Sequence, residues 1–483
     1  MTGSERRAHG APTYRIVTLG CKLNQADSSA LEARLRRLGM RRAAEAPAGA
    51  DDPAERGAGA DLVLLNTCTV TGGADREARQ IARRLRRTNP GATLVVTGCY
   101  AERDAGALRR IDGVDAVIGM ADQAGRVEAI ARAALGLMDP AGGAGEPGKA
   151  APGAPPDAAS ATPPGVRGLD LGRFGETIAC DPAERDRTRA FLKIQDGCDL
   201  RCSYCVIPSV RGASRSLPAP TVLDRLAALG RAGYREVVLT GVNTGDWGGD
   251  FDPPDRLENL LAQSLDRGDV ARLRLNSLEP RTVTGRIASL LAGADGRLAR
   301  HLQVPLQSGC DAVLTRMRRN YRTGDYARVL ESVRAAVPDV ALGADVIVGF
   351  PGETDAEFES TCRFVEASPL AYLHVFPYSE RPGTAAASLG DRVPPPVIAA
   401  RSARLRALGG ALSLRFRRRF VGRTLEVLAL REVRPDGRVR ALSDNFIDCG
   451  VDAGGRDAGD LFNRLVTARI TAADEAGTLA EVA

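Results

Sequence analysis

The sequence predicts an α/β protein in three parts: an N-terminal open parallel α/β domain, a central partial β/α barrel and a C-terminal small antiparallel β-barrel. Three observations predict it. Strand-like apolar runs alternate with helical segments, first up to about residue 120 and again from about Arg189. An Ala/Gly/Pro-rich stretch without periodicity separates the two series. Short alternating strands with Gly and Asp turns end the chain. The expected limits are 12–137, a linker at 138–183, 184–414 and 415–483.

In the first domain the strands are YRIVTL (14–19), DLVLLN (61–66), TLVVTG (93–98) and DAVIG (115–119). Helical periodicity runs from Ser28 to Leu38 and along the basic segment from Ala74 to Arg87. Each of the first three strands leads into a cysteine: Cys21, Cys68 and Cys99. Ligands of open α/β sheets gather beyond the carboxyl ends of the strands, so these cysteines are expected at one edge. The second series contains FLKIQ (191–195), EVVLTG (236–241), RLRLNS (272–277), HLQVPL (301–306), DVIVGF (345–350) and AYLHVF (371–376). Six βα units imply a partial or full barrel with functional groups on the loops after the strands. A helical connector follows the prolines at 394–396; from Val393 to Leu425 it carries eight Arg and no acid. TLEVLAL, RVRALS and RLVTARI then read as strands of the small barrel.

The chain has 483 residues, 44% of them apolar, enough for several cores. Net charge is only +6, so the local distribution of charge, not the total, must identify partners. The N-terminus has no signal-like apolar run and no stretch reaches membrane-spanning length; a cytoplasmic protein without membrane contact is expected. Ten cysteines in such a setting favour metal binding or catalysis over disulfides.

The strongest chemical signal is KIQDGCDLRCSYCVIPSVRGASRS (193–216). Cys198, Cys202 and Cys205 form a CxxxCxxC triad. Three thiolates can serve three irons of a [4Fe–4S] cube, which usually takes four cysteines. The fourth iron is then open to a substrate or cofactor. The bland alternative is structural zinc, which needs four N or S ligands. The only histidines are His9, His301 and His374, and Cys180 is a conceivable fourth ligand upstream. Tyr204 either shields a cluster or packs in a core. Cys180, Cys310, Cys362 and Cys449 read as structural thiols.

A CxxxCxxC triad after the first strand of a β/α barrel resembles the radical S-adenosylmethionine (SAM) superfamily. The continuation CVIPSVRGASRS resembles the methylthiotransferase family within it, as do TLGCKLNQADS, NTCTVTGGADREARQ, VVTGCYAE, LQVPLQSGCDAVLTRMRRNY and ADVIVGFPGET. The C-terminal barrel is similar to the RNA-binding TRAM domain. The resemblance implies two [4Fe–4S] clusters: a SAM-cleaving one on Cys198, Cys202 and Cys205, and an auxiliary one on Cys21, Cys68 and Cys99. It also implies SAM contacts from Gly349, Pro351, Gly352 and Glu353, which follow the fifth barrel strand. Asn243 and Glu279, also after strands, are further candidates for SAM or substrate.

GCKLN (20–24) and Leu278-Glu279-Pro280 resemble the branch that modifies N6-threonylcarbamoyladenosine at position 37 of tRNA. The implied partners are the tRNA anticodon stem-loop and a reductant protein such as a flavodoxin or ferredoxin. The basic runs Arg83, Arg84, Arg86, Arg87 and Arg415, Arg417, Arg418, Arg419 are candidate phosphate contacts, with solvated helix faces as the bland reading. The competing readings are the same chemistry on ribosomal protein S12 or on isopentenyl-adenosine tRNA, and an RNA-binding protein with a structural metal site.

Overall fold

The computed structural model describes residues 11–43, 59–120, 123–134, 174 and 188–483. Most of the linker, residues 44–58, and Cys180 lie outside the described residues. The chain divides near residue 176 into two compact units, two three-residue segments (70–72 and 251–253) apart.

The first unit contains β1 (Thr13–Thr18), α1 (Lys22–Arg37), β2 (Arg41–Arg42), β3 (Leu62–Thr67), α2 (Gly72–Thr88), β4 (Thr93–Gly98), α3 (Cys99–Arg103), α4 (Ala105–Arg109), β5 (Ala116–Ile118) and α5 (Gln123–Ala134). Its strands form one parallel sheet in the order β2-β1-β3-β4-β5. The sequence predicted four of these strands; β2, two residues long at the edge, was too short to leave a pattern. Every residue of β3 is buried because both faces are covered. Val63 and Leu65 pack with Ala78, Ala82 and Leu85 on one face. Leu62 and Leu64 pack with Leu31, Leu35, Val127 and Ala131 on the other. The strand order reverses between β1 and β3, which opens the crevice where such sheets bind ligands.

The second unit begins with β6 (Ala190–Lys193), β7 (Gln195–Asp196), α6 (Ile207–Arg211), β8 (Arg215–Ser216), α7 (Ala219–Arg231), β9 (Glu236–Thr240), α8 (Leu257–Arg267), β10 (Arg272–Leu275) and α9 (Gly285–Gly293). It continues with β11 (His301–Gln303), α10 (Asp311–Arg316), α11 (Thr323–Ala336), β12 (Ala341–Val348), α12 (Asp355–Ala367), β13 (Tyr372–Pro377) and α13 (Pro395–Arg418). Two parallel three-stranded runs, β6-β9-β10 and β11-β12-β13, carry the six strands expected of the partial barrel. Leu273 joins the runs: its N–H donates to Arg297 O (2.7 Å) and its carbonyl accepts from Ala299 N (2.8 Å). Among the described residues, no helix is long and apolar enough to cross a membrane.

The last strands are β14 (Thr424–Val433), β15 (Val439–Ser443), β16 (Asp448–Asp452), β17 (Leu465–Ala473) and β18 (Thr478–Val482). They close into a barrel in the order β14-β15-β16-β18-β17. The expected limit at residue 415 falls inside α13, and the barrel's first strand begins at Thr424. The expectation of a purely antiparallel barrel needs one correction: β16 and β18 pair parallel. Five strands force this, since directions can alternate around a closed ring only when the number is even.

The small barrel is fixed to β10 by two buried arginines. Strand alternation puts Arg272 and Arg274 on one face, and both are 1% exposed. Arg274 donates to Ser443 O (2.9 Å) and Asp444 O (3.0 Å) of the small barrel and to Glu236 of β9 (2.8 and 3.1 Å). Its guanidinium also lies 5.4 Å from the ring centre of Phe446, which stacks on His301. Burial alone would raise the Glu236 carboxyl; Arg274, Arg189 and Arg272 override it and hold it at about 2. A depressed carboxylate stabilises the fold above its unfolded pKa, and that contribution is lost as pH falls through the folded value. Glu236→Gln should therefore destabilise this unit by on the order of 3 kcal/mol at neutral pH. Urea unfolding at a series of pH values should show the gap between parent and variant narrowing from pH 4.5 towards pH 2. A constant gap would refute the assignment.

Candidate active site

The cysteine triad lies on a loop closed at its base by a short antiparallel ladder, Gln195 opposite Ser216 and Asp196 opposite Arg215. Gln195 is wholly buried and ties the loop to the strand ends. Its Nε2 donates to Gly197 O (2.8 Å) and Ser214 Oγ (2.9 Å), and its Oε1 accepts from Asn243 N (2.9 Å). Asp196 pairs with Lys193 and Arg211, both buried. Burial opposes its charge, yet the two cations hold its carboxyl well below the usual range. Gly197 has φ +74°, and a Cβ there would lie 2.0 Å from Ala213 O, so only glycine fits before Cys198. Cys198 N donates to Gly212 O, and Cys205 N closes a turn onto Cys202 O. The IP and RG of the extended motif are α6, with Pro208 in its first turn and Gly212 at its end.

Burial pushes the Cys198 thiol up to about 11 and the Cys205 thiol to about 12. Any metal that took these sulfurs as thiolates would release protons on binding. Cys202 Sγ accepts from Arg319 Nη1 at 3.0 Å. Arg319 also pairs with Glu279, whose carboxyl is raised by burial. Tyr204 packs with Val313, Met317 and Phe350, so core packing accounts for its ring. Beyond β9, Asn243 Oδ1 and Thr244 Oγ1 are buried and have no protein partner. The 349–353 turn is internally braced: Glu353 accepts from Gly349 N (2.8 Å) and Arg401 Nη1 (2.7 Å), and Gly352 N donates to Asp391 O. Pro351 sits buried within it.

In the first unit, Cys21 caps α1, Cys68 follows β3 and Cys99 opens α3 directly after β4. Asn24 holds these three turns together. Its Nδ2 donates to Leu19 O (2.9 Å) and Thr67 O (3.0 Å). Its Oδ1 lies 3.7 Å from Cys99 Sγ and 4.0 Å from Cys21 Sγ. Gly20 has φ +95°, and a Cβ there would stand 2.4 Å from Cys68 Cβ. The three cysteines thus converge beside the point where the strand order reverses. Sequence reasoning missed Asn24, Gln195 and Arg319; the only local signal was the position of the first two beside a cysteine motif.

Among the described residues, no three His, Cys, Asp or Glu side chains close around a point as one metal ion requires. A cube, by contrast, takes each thiolate on a separate iron. The donor set fits it: each braced set of turns brings three thiols and no imidazole, and Asp199, the carboxylate within the barrel loop, is taken up by Ser214 N, while the unpartnered oxygens of Asn243 and Thr244 follow the strand tied to that loop. Cys362 and Cys449 are buried, and Cys310 packs beside Tyr204, in keeping with structural thiols. Several candidate phosphate contacts are structural instead. Arg86 donates to Pro90 O, Ala92 O and Gly113 O. Arg417 donates to Asp474 O and Gly477 O, and Arg419 to Pro338 O. Arg83, Arg87, Arg415 and Arg418 are exposed.

Fold and cysteine loop define a radical SAM enzyme. The profile of the radical SAM superfamily matches residues 192–365, and that of the uncharacterized protein family UPF0004 matches 13–119. The threonylcarbamoyladenosine tRNA methylthiotransferase MtaB of Bacillus subtilis is 34% identical over 90% of this chain and 89% of its own. The tRNA-2-methylthio-N(6)-dimethylallyladenosine synthase of Salinispora arenicola is 34% identical over 94% and 86%. This chain belongs to the radical SAM methylthiotransferase family, which brings with it SAM and a [4Fe–4S] cluster. A solved radical SAM methyltransferase, TsrM of Kitasatospora setae, shares the fold, with a TM-score of 0.50 at 20% identity over 76% of this chain and 75% of its own.

Asn24→Ala removes the tie between three turns and should cost about 2 kcal/mol. In metal-free protein, alkylation of Cys68 and Cys99, followed by mass spectrometry, should accelerate roughly thirtyfold. Alkylation of Cys449, in the other unit, should not change.

Proposed function

We propose that this protein adds a methylthio group to C2 of N6-threonylcarbamoyladenosine at position 37 of tRNA. The observation that carries the reading is the presence of two separate, braced three-cysteine sets, one at a sheet's switch point and one on the barrel loop. A single set would suffice for SAM cleavage; the second suits a sulfur-inserting enzyme. Cys198, Cys202 and Cys205 would hold one [4Fe–4S] cluster, and Cys21, Cys68 and Cys99 a second. When bound, these groups and SAM supply the electron, the 5′-deoxyadenosyl radical, the sulfur and the methyl group.

The protein's own residues position and shield. Asn243, Thr244 and Glu279 offer polar oxygens after the barrel strands, where SAM or the substrate base would lie. The turn of Gly349, Pro351, Gly352 and Glu353 would offer backbone to the adenine of SAM, with Glu353 bracing it. The barrel walls keep water from a radical. Arg415 and Arg418 beside the TRAM-like barrel, and Arg83 and Arg87 on α2, are the exposed cations best suited to the phosphates of an anticodon stem-loop. A flavodoxin or ferredoxin in the cytoplasm would supply electrons. The auxiliary-cluster part would lie within 12–137, the radical part within 184–414 and the RNA-binding part in the small barrel from Thr424.

The choice of nucleoside is supported by GCKLN (20–24) and Leu278-Glu279-Pro280 and by the Bacillus subtilis relative. Identity alone does not separate the branches, since the Salinispora arenicola relative is also 34% identical. Mass spectrometry of tRNA nucleosides from a deletion strain should show loss of methylthio-threonylcarbamoyladenosine. Loss of methylthio-isopentenyladenosine instead would move the protein to the other branch. In vitro, Cys202→Ala should abolish 5′-deoxyadenosine formation, whereas Cys68→Ala should keep it but lose the modified nucleoside. Undiminished cleavage by Cys202→Ala would overturn the assignment.

A further inference from the structure

Arg319 is a buried cation placed against one member of the barrel triad, and nothing in the binding of a cluster by three thiols requires it. Its side chain is 2% exposed. All three nitrogens of the guanidinium are used. Nη1 donates to Cys202 Sγ at 3.0 Å, Nη2 donates to a Glu279 carboxylate oxygen, and Nε donates to Tyr321 Oη at 3.2 Å. The guanidinium carbon stands 4.8 Å from the centre of the Tyr321 ring. Tyr321 is itself fixed, since its hydroxyl lies 2.9 and 2.8 Å from the carbonyls of Pro305 and Leu306.

The backbone goes out of its way to aim this residue. After α10 the chain turns back in a Schellman motif: Arg319 N donates to Leu314 O and Arg318 N to Thr315 O. Arg318 takes the left-handed position at φ +56°, where glycine is usual. The same turn offers Met317 O to Ser203 N and Arg316 O to Ser203 Oγ. The α10 turn thus grips the cysteine loop by its backbone and places a permanent positive charge at its middle cysteine.

A guanidinium is charged at every accessible pH. Hydrogen bonds to ligating sulfurs and the charge around a cluster are the protein's levers on its reduction potential. A cation and an N–H donor at a sulfur both favour the electron-rich state. Glu279, the counter-charge, acts in the opposite sense.

We propose that Arg319 and Glu279 are an opposed pair of positioning residues that set the reduction potential of the cluster on Cys198, Cys202 and Cys205 through the hydrogen bond to Cys202 Sγ. This rests on the reading that these three cysteines hold a cluster. It gives Glu279 a task other than direct contact with SAM, and it makes reducibility a property written into the turn after α10.

The test is a redox titration, followed by electron paramagnetic resonance, of the anaerobically reconstituted full chain. Cys21, Cys68 and Cys99 are replaced by Ala so that one cluster is read. Arg319→Met should make the cluster harder to reduce, by about tenfold or more in the reduction equilibrium, which is about 59 mV for one electron. Glu279→Gln should shift it in the opposite direction, and Arg319→Lys should fall between Arg319→Met and the parent. Iron content should stay at the parent level. Midpoints equal to the parent's in Arg319→Met and Glu279→Gln, with iron retained, would overturn the proposal. So would shifts of the same sign. If Arg319→Met loses its iron, the sign of the Glu279→Gln shift decides alone. A parent that takes up no iron on these cysteines would overturn the cluster reading itself, and this inference with it.

Discussion

The buried amide of Gln195 is the tie on which the cysteine loop depends. It satisfies backbone groups on the loop and beyond β9 at once, and it does so without charge. Asn24 does the equivalent work in the first unit, between the turns after β1 and β3. A carboxylate or an ammonium could not replace either residue, because each must donate and accept in a dry setting. Both units thus use one device to hold cysteine-bearing turns at the carboxyl ends of parallel strands. The sheets supply rigidity and position, and the amides convert that rigidity into loop geometry.

Much of this was legible in the sequence because apolar runs alternate with helical segments so regularly. DLVLLN (61–66) reads as a strand, and β3 covers all of it but the first residue. What escaped was short or polar. β2 has two residues, and DCGVD and TLAEV in the small barrel carry too few large apolar side chains to stand out. α1 starts at Lys22, earlier than periodicity placed it, because its cap is Cys21, which makes no side-chain capping bond. The cysteines of both sets could be read from spacing and context. Their supports could not: Arg319 lies 117 residues from Cys202, and Asn24 lies 43 from Thr67. No local pattern reports a contact between residues so far apart.

Arginine is the residue most easily misread here. It is abundant, and its runs suggest phosphate binding. Yet Arg86, Arg417 and Arg419 are spent on backbone carbonyls, and Arg401 on Glu353 and Asp355. A planar fork with five donors can satisfy several carbonyls at once, which a lysine cannot. In a chain poor in aromatics, arginine takes over part of the work of joining elements, and only those left exposed remain for a polyanion.

The fastening of β10 to the small barrel has an evolutionary side. Small terminal barrels can be portable, gained or lost as independent cassettes. This one is not free to travel. Ser443 and Asp444 contribute carbonyls that Arg274 needs, and Phe446 covers the same guanidinium. Losing the tail would remove two acceptors and the ring that cover Arg274, leaving its ion pair with Glu236 uncovered. Any lineage that discards it must also rewrite the RLRL strand and its Glu236 partner, so the two parts are expected to be inherited and to diverge together.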